Sequence, residues 1–149
     1  MPWWSKHLWV IAMQVVAFAP YCIGSRAFFK GRKHFMLWLA FGIVLDCIMA
    51  ITASSGLLPR MNSNEGAPWA SILFILHITL SGGGMFAFIL MFLYVLVRGI
   101  GREYPRLRRI QYRIFLPAWV VGVSIALVNF MSKVFFNVRA YDLPWQLLR

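Results

Sequence analysis

Four long apolar runs divide the chain, and polar residues separate each run from the next. The runs cover residues 8–24, 35–58, 68–97 and 114–132. A helix crosses the hydrocarbon core of a bilayer with about 20 apolar residues, and only helices or closed barrels satisfy their own backbone there. None of the runs alternates as a barrel strand does. The pattern predicts an all-α membrane protein with four transmembrane helices, the first of which kinks or ends at Pro20.

Composition leaves no room for a second, water-exposed domain. The chain is 61% hydrophobic with a mean hydropathy of +0.72. Only 13% of its residues are charged, against about 25% in soluble domains. We therefore expect one four-span transmembrane domain over residues 1–149. After the last run, residues 133–149 mix aromatic and charged side chains, which predicts a short segment lying in the membrane interface.

Positive charge collects between the runs. Fifteen Lys and Arg face four Asp and Glu, for a net charge of +11, and no Lys or Arg falls inside a run. Ten of the basic residues lie in the first and third loops: Arg26, Lys30, Arg32, Lys33, Arg98, Arg102, Arg106, Arg108, Arg109 and Arg113. Cytoplasmic loops carry the excess of Lys and Arg. This predicts an antiparallel bundle in a bacterial inner membrane, with both termini on the outer, periplasmic side.

The same ten residues predict what the protein binds. A net charge of +11 would suggest nucleic acid in a soluble protein. Here the charges flank membrane spans, so anionic lipid headgroups, or an acidic subunit of a larger membrane complex, are the expected partners. Nucleic acid is not an expected partner.

Polar side chains interrupt all four runs. At about 1.5 Å of rise per residue, they share one depth zone in the outer half of the membrane: Gln14, Asp46, Thr52, His77 and Asn129. Ionisable residues at such depths face the bundle interior and are functional candidates. The alternative is that the polar residues hold the helices together. For Asp46 and His77, structural pairing and a functional role both stay open.

A histidine followed by small residues marks the third run. His77, Ser81 and Gly84 share a face of a helix, which leaves room for a flat tetrapyrrole such as haem or chlorophyll on the imidazole. Alternatively, the glycines bring a neighbouring helix close or bend their own. A second haem ligand at matching depth is not evident, because His34 lies at the predicted cytoplasmic edge.

Soft ligands in the outer half suggest copper. Met13, Met49, Met131 and Cys47 fall near the predicted depth of His77, and thioether, thiolate and imidazole groups select Cu(I). His77, Met49 and Cys47 are the candidate ligands. Methionine is also a common filler of irregular apolar gaps.

The sequence contains no complete set of catalytic residues, so an enzyme is not expected.

Three stretches carry a resemblance to a known family. They are residues 33–40, with His34 before the second run, residues 75–80 around His77, and residues 106–110 followed by 116–119. The chain resembles a bacterial family of four-helix membrane proteins of unknown function linked to cytochrome c oxidase assembly. The resemblance implies a four-span fold, membrane histidines at His34 and His77, and a role in making or serving a haem-copper oxidase.

The chain departs from that family in two places. Leu107 stands where the family usually shows a histidine, and the glycine expected near residues 124–126 is absent or displaced. The departures imply an accessory descendant. We therefore expect an accessory or assembly subunit of a respiratory or other electron-transfer complex, and the sequence leaves open whether it binds a cofactor. The alternatives are a tetrapyrrole carrier using His77 and a copper-handling assembly factor.

Overall fold

The computed structural model describes residues 3–54 and 68–136, and every regular element in them is a helix. Helix α1 is Trp3–Phe29 and α2 is Phe35–Ser54. The third spanning helix consists of α3 (Pro68–His77), a first π-segment (Ile78–Gly82) and α4 (Gly83–Arg98). The fourth spanning helix consists of α5 (Pro105–Ile110), a second π-segment (Gln111–Phe115) and α6 (Leu116–Phe136).

All four helices are long and apolar enough to cross a membrane. The qualifying stretches are Ile11–Phe29, Phe35–Thr52, Ile72–Arg98 and Pro105–Phe136. The predicted all-helical class with four candidate spans is thus confirmed. At most 44% of the most apolar window of any span is buried inside the protein, so most of the apolar surface faces outward. An exposed apolar surface of this extent is compatible with contact with lipid and unfavourable in water.

The first helix is longer than its apolar run. The prediction that it ends at residue 24 is wrong, because α1 continues to Phe29 and carries Arg26 in its last turn. Of the two alternatives at Pro20, an end is therefore excluded and a kink stays a prediction. Tertiary contact explains the extension, since packing stabilises helices more than intrinsic propensity does. A Cβ on Gly24 would lie 2.9 Å from the Leu39 side chain of α2.

The fourth helix also begins earlier than its apolar run. It starts at Pro105, in the first turn where proline costs no hydrogen bond, and arginine is a good helix former. The predicted third loop, residues 98–113, therefore shrinks to residues 99–104, and five of its six arginines are helical. Residues 133–136 of the predicted interfacial segment are helical too. The rest of that segment, residues 137–149, lies outside the described residues, and so do residues 55–58 of the second run.

A tight turn joins α1 to α2. Gly31 has a φ of 71°, a left-handed conformation that glycine adopts without strain. Its N–H donates to the Phe28 carbonyl at 2.9 Å, and the Arg32 N–H donates to the Ala27 carbonyl at 2.8 Å. This pair of bonds is a Schellman motif, which caps the end of a helix and here lets the chain turn back within residues 30–34.

The helices enclose an aromatic core. Helix α1 packs along α2 and against α6, the third spanning helix packs against α6, and α4 also contacts α2. The largest fully buried apolar side chains are Tyr21, Phe28, Leu39, Phe88, Val95 and Trp119. Outward positions are apolar as well; Leu37 is 72% exposed and Val97 83% exposed.

Candidate functional site

A buried carboxylate lies at the centre of the bundle. Asp46 on α2 is 6% exposed, and its Oδ2 accepts a hydrogen bond from Nε1 of Trp119 at 2.8 Å. Burying such a group is costly unless it is hydrogen-bonded. Tyr21 of α1 packs its ring on that of Trp119, and its buried hydroxyl makes no hydrogen bond with the residues that the structure describes. These three residues, which we call the central triad, join α1, α2 and α6.

Rings and glycines close the space around the central triad. The ring centroids of Tyr21 and Trp119 are 4.3 Å apart, and that of Phe88 lies 4.6 Å from Tyr21. A Cβ on Gly42 would lie 3.1 Å from the Tyr21 ring, and one on Gly84 would lie 2.8 Å from the Trp119 Cβ. All four spanning helices therefore meet at this level in close contact, and the triad is suited to holding them together.

His77 bonds to the fourth spanning helix. Its Nδ1 lies 2.8 Å from the Gly122 carbonyl oxygen; a carbonyl only accepts, so Nδ1 carries the proton. The Ser81 hydroxyl donates to the His77 carbonyl at 2.6 Å. Metal-ligating histidines also donate one ring N–H to a backbone carbonyl, so this bond alone does not separate a ligand from a packing residue.

The face predicted to hold a macrocycle is occupied by α6. Gly122 contacts the backbone of Ser81 so closely that a Cβ would not fit, and Gly84 faces the backbone of Trp119. His77, Ser81 and Gly84 thus share a face, as predicted, but a neighbouring helix covers it. This geometry favours the interpretation that the small residues bring two helices together.

Asp46 and His77 each bond to α6 and not to each other. Asp46 accepts from Trp119, and His77 donates to Gly122, about one turn further along the same helix. The fourth spanning helix therefore connects the two ionisable residues that the sequence placed at similar depth.

The other predicted polar residues differ in their surroundings. Gln14 and Asn129 are buried, as expected for polar side chains in a bundle interior. Thr52 is half-buried, and its hydroxyl donates to the Ile48 carbonyl of the same helix at 2.7 Å. That bond is an internal one of the kind that threonine often makes in helices.

A second buried polar contact was not predicted. Ser25 and Gln111 are both completely buried, and the Gln111 amide nitrogen donates to the Ser25 hydroxyl. Ser25 follows the predicted end of the first run, and Gln111 falls in the predicted third loop, so hydropathy assigned both to the surface. Gln111 opens the second π-segment, and π-bulges in helices often occur at functional sites.

Ser25→Ala should lower the free energy of unfolding in detergent micelles by about 1–3 kcal/mol, because the Gln111 amide then stays buried without its partner. The double variant Ser25→Ala/Gln111→Leu removes both polar groups and should recover most of that loss. Denaturant titration followed by tryptophan fluorescence measures both. A double variant less stable than the single one would contradict the pairing.

The candidate copper ligands lie on two spanning helices. Cys47 and Met49 are half-buried on α2, and His77 on α3 donates to α6, so copper binding by these residues stays a prediction. Within residues 3–54 and 68–136, no group of three or more His, Cys, Asp or Glu side chains is placed to hold a metal ion. His34 is exposed in the α1–α2 turn.

The two basic loops lie at one end of the bundle. A Cβ on Gly31 would lie 2.9 Å from Nη1 of Arg108, and the guanidinium carbon of Arg108 lies 5.9 Å from the Phe28 ring centroid. The rings of Phe29 and Tyr112 stack at 4.8 Å. These contacts tie the α1–α2 turn to the start of the fourth spanning helix.

Nine of the ten predicted basic residues are exposed there and define a surface that we call the basic end. They are Arg26, Lys30, Arg32, Lys33, Arg98, Arg102, Arg106, Arg109 and Arg113. Arg108 differs, because it is half-buried against the last turn of α1. A cation there interacts favourably with the carboxyl end of a helix, so Arg108 holds the two loops together.

Comparison of the chain with known protein families, curated proteins and solved structures gives no match. The resemblance to the family linked to oxidase assembly therefore stays a prediction, and the functional argument rests on the geometry above.

Proposed function

We propose that this chain is an accessory or assembly subunit of a larger electron-transfer complex in the bacterial inner membrane, and that it acts by binding and not by catalysis. The observation that carries the proposal is that the interior of the bundle is filled, whereas its surface offers apolar and basic faces to partners. Rings, glycine contacts and the bond from Trp119 to Asp46 fill the level of the central triad. The surfaces left for interaction are apolar outer faces and the basic end.

The outer faces suit contact with other membrane helices as well as with lipid. On α4, Phe86, Leu90, Leu93 and Val97 are all exposed and form a stripe with alternating spacings of four and three residues. On α2, Leu37, Phe41 and Val44 begin a similar stripe. Spacings of this kind line one side of a helix and let it pack along a partner.

The proposed orientation places the basic end in the cytoplasm. Nine exposed basic residues gather where the α1–α2 turn meets residues 99–106, and Lys and Arg are enriched on the cytoplasmic side of membrane proteins. An antiparallel bundle with both termini on the outer side follows from that placement. Anionic headgroups and acidic partner segments are the proposed ligands of this surface.

The electron-transfer assignment is supported by the resemblance and by one of its departures. Where the family usually shows a histidine, Leu107 is partly buried and packs against the hydrophobic core. A packing residue at that position suits an accessory subunit better than a protein that passes metal to an oxidase.

Two other functions rank below this one. A tetrapyrrole carrier needs space beside His77, and α6 occupies the face that the sequence offered for it. A copper-handling factor needs a cluster of soft ligands, and within residues 3–54 and 68–136 no group of three or more His, Cys, Asp or Glu side chains is placed to hold a metal ion.

Site-specific photo-crosslinking in native membranes tests the proposal. A photo-reactive amino acid is placed at Leu37 on α2 or at Leu93 on α4, both exposed, and the products are identified by mass spectrometry. We expect at least one position to give a crosslink to a subunit or assembly factor of an electron-transfer complex, and the same protein to co-purify in mild detergent.

Phe88 is the matched control, because it lies on α4 but is fully buried. A photo-reactive residue there should crosslink only within the chain. Exposed positions on both helices that react with lipid alone, together with a partnerless chain in mild detergent, would contradict the proposal.

A further inference from the structure

An open cavity of about 480 Å³ lies at the corner between the end of α4 and the start of α5. Its lining consists of Tyr94, Tyr104, Pro105, Arg106, Leu107 and Ile110. The corner is where the third spanning helix leaves its apolar stretch and the fourth begins. The cavity therefore lies at the level of the membrane interface, where aromatic side chains of spanning helices commonly sit.

Two tyrosines and an arginine form the polar part of the cavity. The rings of Tyr94 and Tyr104 meet edge to face at 5.9 Å. The Tyr104 hydroxyl donates to the Gly99 carbonyl at 2.9 Å, which holds that ring against the loop. The guanidinium carbon of Arg98 lies 5.8 Å from the Tyr94 ring centroid. Arg98 is thus held beside the cavity, which also contains Arg106.

The rest of the lining is apolar. Pro105, Leu107 and Ile110 line the same cavity, and Ile110 is 41% exposed. A free anion or an acidic peptide would use the guanidinium groups and leave this apolar surface uncovered. A lipid uses both, because its phosphate accepts hydrogen bonds from arginine and its acyl chain covers apolar side chains.

We propose that the α4–α5 corner binds one anionic phospholipid, with its phosphate at Arg98 and Arg106 and its upper acyl chain along Leu107 and Ile110. The site is a defined pocket within the broader basic end. It does not depend on the protein being a subunit of a complex, and its test needs no partner protein.

Native mass spectrometry of the purified chain with added lipid tests the proposal. We expect one phosphatidylglycerol to bind in preference to phosphatidylcholine with the same acyl chains. Arg98→Gln/Arg106→Gln should weaken phosphatidylglycerol binding about 25-fold, since each arginine near an anionic headgroup is worth about fivefold. The single variant Arg106→Gln keeps the contact between Arg98 and Tyr94 and should lose about fivefold.

Arg32→Gln/Lys33→Gln is the matched control. It removes the same charge from the basic end but from the other loop, and we expect a loss below about twofold if binding is local. An equal loss in both double variants would overturn the site in favour of diffuse attraction. Competition by soluble glycerol phosphate would overturn it in favour of a free anion, and equally tight binding of a polyglutamate peptide would favour an acidic protein.

Discussion

Trp119→Ala should be among the most destabilising single substitutions in this chain, lowering the free energy of unfolding by about 3–5 kcal/mol. The side chain is 1% exposed, so its removal leaves a cavity between α1, α4 and α6. It also removes the donor to Asp46, and a buried carboxylate without its partner adds to the loss. Reversible denaturation in mixed micelles, followed by circular dichroism, measures the change.

Two further variants separate packing from hydrogen bonding at this position. Trp119→Phe keeps an aromatic ring but lacks the N–H, and should cost about 1–3 kcal/mol because a buried carboxyl oxygen loses its donor. In an Asp46→Leu background, which lacks an acceptor, the same substitution should cost less, since the two residues act as one unit. Equal costs in both backgrounds would contradict the bond between them.

Val121→Ala is the control on the same helix. Val121 is 49% exposed, and we expect the free energy of unfolding to change by no more than about 0.5 kcal/mol. A loss as large as that of Trp119→Ala would show that α6 is sensitive along its whole length, and the central triad would then have no special role.

Gly122→Ala should cost up to about 3 kcal/mol, since overpacked sites cannot relax when the neighbour is backbone. The new methyl group would meet the backbone of Ser81, so α6 and the first π-segment must move apart. The bond from His77 to the Gly122 carbonyl should then weaken as well. Thermal unfolding in lipid bicelles reports the loss of stability, and the imidazole proton resonances of His77 report the bond.

Gly83→Ala provides the comparison for Gly122→Ala. It also lies inside a helix, but nothing lies within 4 Å of its Cβ position. Alanine favours helix over glycine by up to about 1 kcal/mol, so this variant should be neutral or slightly stabilised. If both alanine variants behaved alike, the close approach of α6 to the third spanning helix would be refuted.

The spans could be predicted from the sequence because lipid imposes a simple requirement on length and polarity. The ends of the spans could not be predicted in this way. Gly24 and Ser25 mark the end of an apolar run, but their contacts with α2 and with Gln111 stabilise the helix beyond them. The fourth spanning helix starts at Pro105, in a stretch rich in arginine. Hydropathy assigns such a stretch to a loop, although arginine is a good helix former.

The buried polar residues show the same limit. Asp46 and Gln14 stood out because they interrupt apolar runs, and both are buried. Trp119 did not stand out, since tryptophan near the start of a run normally marks the interface. Its role depends on a partner 73 positions away in the chain. The partner of His77 is a backbone carbonyl, which any residue supplies, so no pattern of side chains could have identified Gly122.

The fourth spanning helix supplies a partner for each of the three helices made before it. Gln111 bonds to Ser25 of α1, Trp119 to Asp46 of α2, and Gly122 to His77 of α3. During synthesis from the amino terminus, these polar groups enter the membrane before their partners exist. The unfinished chain therefore carries hydrogen-bonding groups without partners until its last helix is added.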